Sequence, residues 1–191
     1  MGCDIHMYIE KMRNGKWVPA QGFVEIDDGV IDVPYNDRFS DRDYLLFGML
    51  AGVRDSTNQM FEPKGFPSDA SPELNAVYKG WEPVAHTPSY LTLAELNGLN
   101  WDGSAIIIKR MFQKNQLKAF RNSVKKGDPD YSIIQSWCSW ASDRENWVEA
   151  EIQVPMKYQF SRFYYNVVSR LHSYDRRCNE NEIRIVFWFD N

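Results

Sequence analysis

The sequence predicts an α+β protein: a single domain on a mixed or antiparallel sheet, with the first and last strands near its centre and helices packed on one face. Three observations carry this. The opening residues Gly2 to Glu10 alternate apolar and polar, as a strand does when it sends successive side chains to opposite faces. The closing residues Glu182 to Phe189 read as the last strand, with Ile183, Ile185, Phe187 and Phe189 on one face. Between them lie apolar runs at helical spacing, several with capping residues in front.

In the first strand Cys3, Ile5, Met7 and Ile9 share an apolar face, and Asp4, His6, Tyr8 and Glu10 share the other. Arg13-Asn14-Gly15-Lys16 carries the Asn-Gly signal of a tight hairpin, with Trp17 and Val18 starting the return strand. Phe23 to Ile26 reads as a further short strand. Asp27-Asp28-Gly29 and Pro34 then break the pattern and give a loop to Phe39. Ser40 followed by Asp43 reads as a helix N-cap with an acidic first turn. Tyr44 to Ala51 is apolar almost all round, so that helix is expected to be buried, with Gly52 as its stop.

Residues 55–71 read as irregular. Ser71-Pro72-Glu73 opens a short helix that stops near Gly80. Trp81 to Ser89 reads as a loop, and Thr92-Leu93-Ala94-Glu95 as a capping box opening another helix. Residues 101–144 read as a helical insertion. Within it, Lys109 to Lys126 holds seven basic residues and no acid, and Leu117, Phe120 and Val124 predict an amphipathic helix ending at Gly127. A second helix is expected over Tyr131 to Trp140. Trp147 to Val154 alternates as a strand, and Phe160 to Leu171 is helical, with Phe163, Val167 and Leu171 four apart. In the last strand Ile183, Ile185, Phe187 and Phe189 face one way, and Arg184, Val186 and Trp188 the other.

Composition narrows the function classes. At 191 residues, 43% hydrophobic and 15% aromatic, the chain can bury a core. No signal peptide and no membrane-length apolar run is seen, so no membrane partner is expected. Cys3, Cys138 and Cys178 lack metal-type spacing and leave one unpaired, which fits a reducing cytoplasm. Residues 1–100 hold 8 basic and 15 acidic residues, whereas 101–191 hold 14 and 11. The net charge of −4 argues against a general DNA binder, while the basic second half offers a site for anions.

Four blocks, in order along the chain, carry a resemblance. They are Met1-Gly2-Cys3-Asp4-Ile5-His6; Arg42 to Phe47 running into Ala51-Gly52-Val53-Arg54; Ala85 to Thr92; and Arg184-Ile185-Val186-Phe187-Trp188-Phe189-Asp190-Asn191. Together they resemble a widespread, largely uncharacterised family of bacteriophage proteins, from which residues 101–144 depart. The resemblance implies a protein acting in the cytoplasm of an infected bacterial host. It makes a host immune signal, such as a cyclic nucleotide, a candidate ligand.

The candidate site residues have a chemical rationale and a plain structural alternative each. Asp4 and His6, two apart on one strand face, lie roughly 7 Å apart at the backbone and suit acid–base work, or a half-buried, merely satisfied histidine. An Asp-x-His first strand also opens the calcineurin-like metallophosphoesterases. Those need more histidines and a Gly-Asn-His block that this chain, with three histidines, does not have, so no metal or other cofactor is expected. His86 invites an acid–base partnership with His6 across a phosphodiester, with Thr87 and Ser89 holding an oxygen; the alternative is a capped turn. Arg42 and Arg54 suit phosphate or carboxylate, or ion pairing with Asp41, Asp43 or Asp55. Trp81, Tyr90 and Trp188 could stack a base, or simply pack the core.

Two functions follow as expectations. One is binding, with or without hydrolysis by a metal-independent phosphodiesterase, of a small anionic nucleotide-like ligand. The other is a non-catalytic protein that blocks a host protein through residues 101–144. A homo-oligomer is compatible with either.

Overall fold

The computed structural model describes residues 2–27, 29–134, 145–174 and 178–191. The backbone divides into two compact units, residues 1–100 with 160–191, and residues 101–159. The fold class is α+β.

In the first unit, β1 (Asp4–Arg13) turns through Asn14 and Gly15, both at positive φ, into β2 (Lys16–Pro19). This is the Asn-Gly hairpin that the sequence predicts. β1 pairs on its other side with β8 (Ile183–Asp190), and β8 pairs with β5 (His86–Thr92). The antiparallel order is β2-β1-β8-β5, so the first and last strands occupy the centre. A separate hairpin, β3 (Val24–Asp27) with β4 (Val30–Asp32), stands where β3 alone was expected.

Cross-strand partners share a face. Ile5, Met7 and Ile9 oppose Phe189, Phe187 and Ile185, giving an apolar face with every one of these side chains buried. Helix α1 (Tyr44–Ala51) covers it, the Phe47 ring lying 5.0 Å from that of Phe189. The N-cap of α1 is Asp43, which accepts from the amides of Leu45 and Leu46; Ser40, the expected cap, lies too early in the chain. Gly52 closes α1 in the left-handed conformation, as its sequence position predicts. Gly48 is needed for a different reason: a Cβ there would sit 1.9 Å from the backbone oxygen of Asp55.

The opposite face is a second core and not a solvated surface, which corrects the one-sided packing expected from sequence. His6, Tyr8 and Glu10 oppose Trp188, Val186 and Arg184. Helix α2 (Pro72–Trp81), capped by Ser71 and opened by Pro72, lays Leu74 and Val77 against Tyr8, Val186 and Trp188. Glu10 and Arg184, both buried, form an ion pair with Arg184 Nε donating to Glu10 Oε2 at 2.9 Å. The other Glu10 oxygen accepts from Ser71 N at 2.8 Å, and Arg184 Nη1 reaches Asp69 at 2.8 Å. The Trp17 ring covers the guanidinium 3.9 Å away.

His86 to Ser89 belongs to β5 instead of a loop. Pro88 and a register shift between His86 and Ser89 hide the strand from a pattern reading, and an edge strand tolerates both. Helix α3 (Leu93–Asn97) follows with both halves of the Thr92/Glu95 capping box formed. Phe160 caps α6 (Ser161–Phe163), a π-helical turn (Tyr164–Val168) and α7 (Ser169–Tyr174), which bury Phe163, Val167 and Leu171 as their spacing predicts.

In the second unit, β6 (Ala105–Gln113) pairs along its length with β7 (Trp147–Pro155), and α4 (Lys114–Lys125) carries the expected buried Leu117 and Phe120. The short α5 (Met156–Gln159) ends this unit. The expected helical segment 101–144 therefore contains a strand whose partner lies beyond Arg144. A short 3-10 turn spans Tyr131–Ile134, and the rest of the helix expected there, with Cys138, lies outside the described residues.

Two predictions follow from this packing. Glu10→Ala, which leaves the Arg184 charge buried beside the distal Asp69, is expected to cost about 3 kcal/mol in chemical denaturation, while Glu10→Met with Arg184→Leu recovers most of it. Equal losses in the single and double variants would contradict that. Gly48→Ala is expected to destabilise despite alanine's higher helix propensity, because the added methyl has no room.

Candidate functional site

The register of β1 against β8 builds the site. It puts Asp4 opposite Asp190 and His6 opposite Trp188, at one end of the central strand pair. The His6 ring is half-buried between two indoles, its centroid 3.9 Å from Trp81 at the end of α2 and 5.7 Å from Trp188. His6 Nε2 lies 3.5 Å from Asp190 Oδ2, and the other Asp190 oxygen accepts from Asp4 N at 3.3 Å. Burial pushes the His6 pKa below the ordinary histidine value, and the Asp190 carboxylate pulls it back only in part. Burial therefore favours the neutral imidazole at this position. The Asp190 contact is a long one for His6 Nε2, and the buried Nε1 of Trp188 has no hydrogen-bond partner among the described residues.

Asp4 does not orient His6. Its carboxylate takes both Nε and Nη2 of Arg42, at 2.5 and 2.6 Å, and this two-point pair holds its pKa below the usual carboxylate range. Asp4 is an ionised partner of Arg42 and not an acid, and Asp190 takes the orienting role. Asp190 has a sequence signal: it falls two residues after Trp188 and shares its face. Its pairing with His6 needs the β1–β8 register, which no local pattern supplies.

A cavity of about 330 Å3 opens beside these groups, lined by Asp4, His6, Tyr8, Trp81 and Asp190 on one side and by Tyr35 to Asp41 less Asn36 and Asp37 on the other. Tyr8 is tied into its wall: burial raises its pKa, and so does the hydrogen-bonded Asp32 carboxylate, which also pairs with Arg38 at 2.8 Å.

The remaining expected site residues lie elsewhere. His86 opposes Phe189, the neighbour of Trp188, so it projects to the other side of the sheet from His6. Its ring faces that of Phe189 at 5.9 Å, Nδ1 is 3.0 Å from Thr87 Oγ1, and Nε2 is 4.0 Å from the buried Cys3 thiol. The two histidines cannot flank one phosphodiester. Arg54, at positive φ, donates to Asn191 Oδ1 at 2.6 Å and to Gly2 O at 3.3 Å, on the same side as Cys3. Ser89 is buried and its hydroxyl accepts from Lys64 N at 3.1 Å. Tyr90 lies under the ammonium of Lys64, which also pairs with Glu95. Trp188 is wholly buried, so it supports the site without offering a face to stack on. Of the expected residues, Asp4, His6, Trp81 and Arg42 come together.

Among the described residues, no group of three or more His, Cys, Asp or Glu side chains is placed to hold a metal ion, and no helix is long and apolar enough to cross a membrane. Comparison of the chain with family models, curated proteins and solved structures finds no match.

The depressed His6 pKa has a definite sign for stability. Below about pH 6.5 the unfolded chain binds a proton at His6 more readily than the folded one, so this contribution is present above that pH and lost as pH falls. The melting temperature of the native chain is expected to drop more between about pH 7.5 and pH 5.5 than that of His6→Asn. Equal drops would show that the His6 proton is not coupled to folding.

Proposed function

We propose that this chain binds a small phosphorylated, nucleotide-type ligand through the cavity beside His6. The observation that supports the reading best is the His6 imidazole itself: held below its ordinary pKa by burial, packed against Trp81, with Asp190 3.5 Å from Nε2, at the wall of a cavity. The Trp81 ring offers a nucleobase an aromatic neighbour. Asp4, Asp41 and Asp190 outnumber Arg38 in the lining, which suits the ring of a nucleotide better than its phosphates.

The resemblance to bacteriophage proteins turns this chemistry towards a host defence signal, a cyclic nucleotide above all, sequestered or cleaved in the infected cell. For cleavage, His6 is the base: it takes the proton of an attacking water, whose oxygen bonds to phosphorus as the P–O bond to the leaving sugar oxygen breaks; Asp190 stabilises the imidazolium, which passes the proton to the leaving oxygen. His86 has no part in this step.

A second reading, a protein that blocks a host protein, gains one observation but on a different surface. The β3–β4 hairpin exposes Val24, Ile26, Val30 and Ile31, whereas the described part of 101–144 exposes only Ile107 and Val124 among large apolar side chains.

The two readings separate in one experiment. The protein is incubated with cyclic di- and trinucleotides and ADP-ribose-type signals, and free ligand is followed by chromatography before and after heat denaturation. Ligand that disappears and returns intact identifies a sponge, and ligand that returns as a new product identifies an enzyme. His6→Asn is expected to weaken retention by about tenfold or more, and to abolish any turnover. If all ligands stay free with the native chain, the nucleotide reading fails; Ile26→Asp with Ile31→Asp then tests the hairpin by loss of host-protein capture.

A further inference from the structure

A second and larger cavity, of about 770 Å3, shares Tyr35, Arg38, Phe39 and Ser40 with the wall of the first. Its size suits a small-molecule ligand. Its charged lining differs from that of the His6 cavity, where Arg38 stands with Asp4, Asp41 and Asp190. Arg38, Arg162 and Arg170 line the larger cavity, against the single carboxylate of Asp37.

The three arginines are held differently. Arg38 is fixed, pairing with the buried Asp32 at 2.8 Å and donating from Nε to Val33 O. Arg162 pairs with Asp41 at 3.0 Å, and Arg170 with Asp37 at 3.9 Å. These two pairs are solvent-exposed, with the arginine side chains 69% and 39% accessible. Exposed pairs contribute little, so an oxyanion exchanges with either carboxylate at small cost. Both carboxylates lie on the one segment that walls the two cavities.

The backbone of the facing wall is also unusual. Ser169 N donates to Tyr164 O, five residues back, and this wide π turn carries Tyr165 and Asn166 into the cavity lining. Such turns recur at functional sites because they re-aim side chains within a helix. Tyr165 and, across the cavity, Tyr35 are exposed aromatics.

We infer that this cavity is an anion site for a diphosphate-bearing ligand, in which Arg162 and Arg170 exchange Asp41 and Asp37 for phosphoryl oxygens and Arg38 holds the floor. Two guanidiniums at separate positions match the two phosphoryl groups of a diphosphate better than a lone phosphate. Tyr35 and Tyr165 supply aromatic faces for a base attached to it. The inference stands whether or not the His6 cavity takes a ring.

Calorimetric titration with inorganic pyrophosphate and with ADP tests it. The native chain is expected to bind both, more weakly as salt rises. Arg162→Gln with Arg170→Gln is expected to lose at least about tenfold in affinity for each. Asp37→Asn with Asp41→Asn, which frees the arginines, is expected to bind more tightly. No binding by the native chain, or native affinity in the arginine double variant, overturns the inference. Should that variant not fold, native or weaker affinity in the Asp37→Asn, Asp41→Asn chain overturns it.

Discussion

The pairing of β1 with β8 is the constraint on which the first unit depends. It joins residues nearly the whole chain apart, from Asp4 opposite Asp190 to Lys11 opposite Ile183. A slip of one residue would turn every side chain to the wrong face and put Ile and Phe where His6 and Glu10 now lie. Apolar packing on the Ile5–Phe189 face resists such a slip, but Glu10 and Arg184 oppose it more specifically. These two are directly opposite and buried, and a slip would part them. A buried ion pair is a weak source of net stability; holding a register is the use that best explains its presence here.

The site inherits this register. Consecutive residues of one strand, Trp188 and Phe189, send His6 and His86 to opposite sides of the sheet by their pairings. The two sides differ chemically. On one, a neutral imidazole lies beside indole rings, a carboxylate and a cavity; on the other, His86 lies with Cys3, Arg54 and Phe189. Asp4 and Asp190, brought side by side, avoid a like-charge conflict because Arg42 claims the first and the Asp4 amide and His6 engage the second. The cavity beside them is lined by more carboxylates than cations and its neighbour by more arginines than carboxylates, and Tyr35, Arg38, Phe39 and Ser40 line both.

Much of this was legible in the sequence, and what was not has a physical reason. Alternation at both ends identified the central strands, and local chemistry identified the Asn14-Gly15 turn, the Ser71-Pro72 start and the Thr92/Glu95 capping box. These signals are short-range. The second core was missed because a face bearing Asp4, His6 and Glu10 reads as solvated until Arg184 and α2 are set against it. β4 and β5 were missed because two strands, of three residues and with an internal proline, give no usable alternation. The partnership of His6 with Asp190 was invisible for the same reason as the separation of His6 from His86: both are consequences of long-range register. Arg162 and Arg170 carry no local signal, and only the fold shows the cavity they line.

The central claim is that His6 is a neutral imidazole at a ligand-binding cavity. Nuclear magnetic resonance of the His6 ring nitrogens tests it directly, in a pH titration repeated with a saturating cyclic dinucleotide. The account predicts a pKa below the ordinary histidine value in the free protein, and ring-nitrogen shifts that move on ligand addition while those of His86 stay put. A His6 that titrates at or above the ordinary value, or that ignores a ligand the protein demonstrably binds, would contradict it.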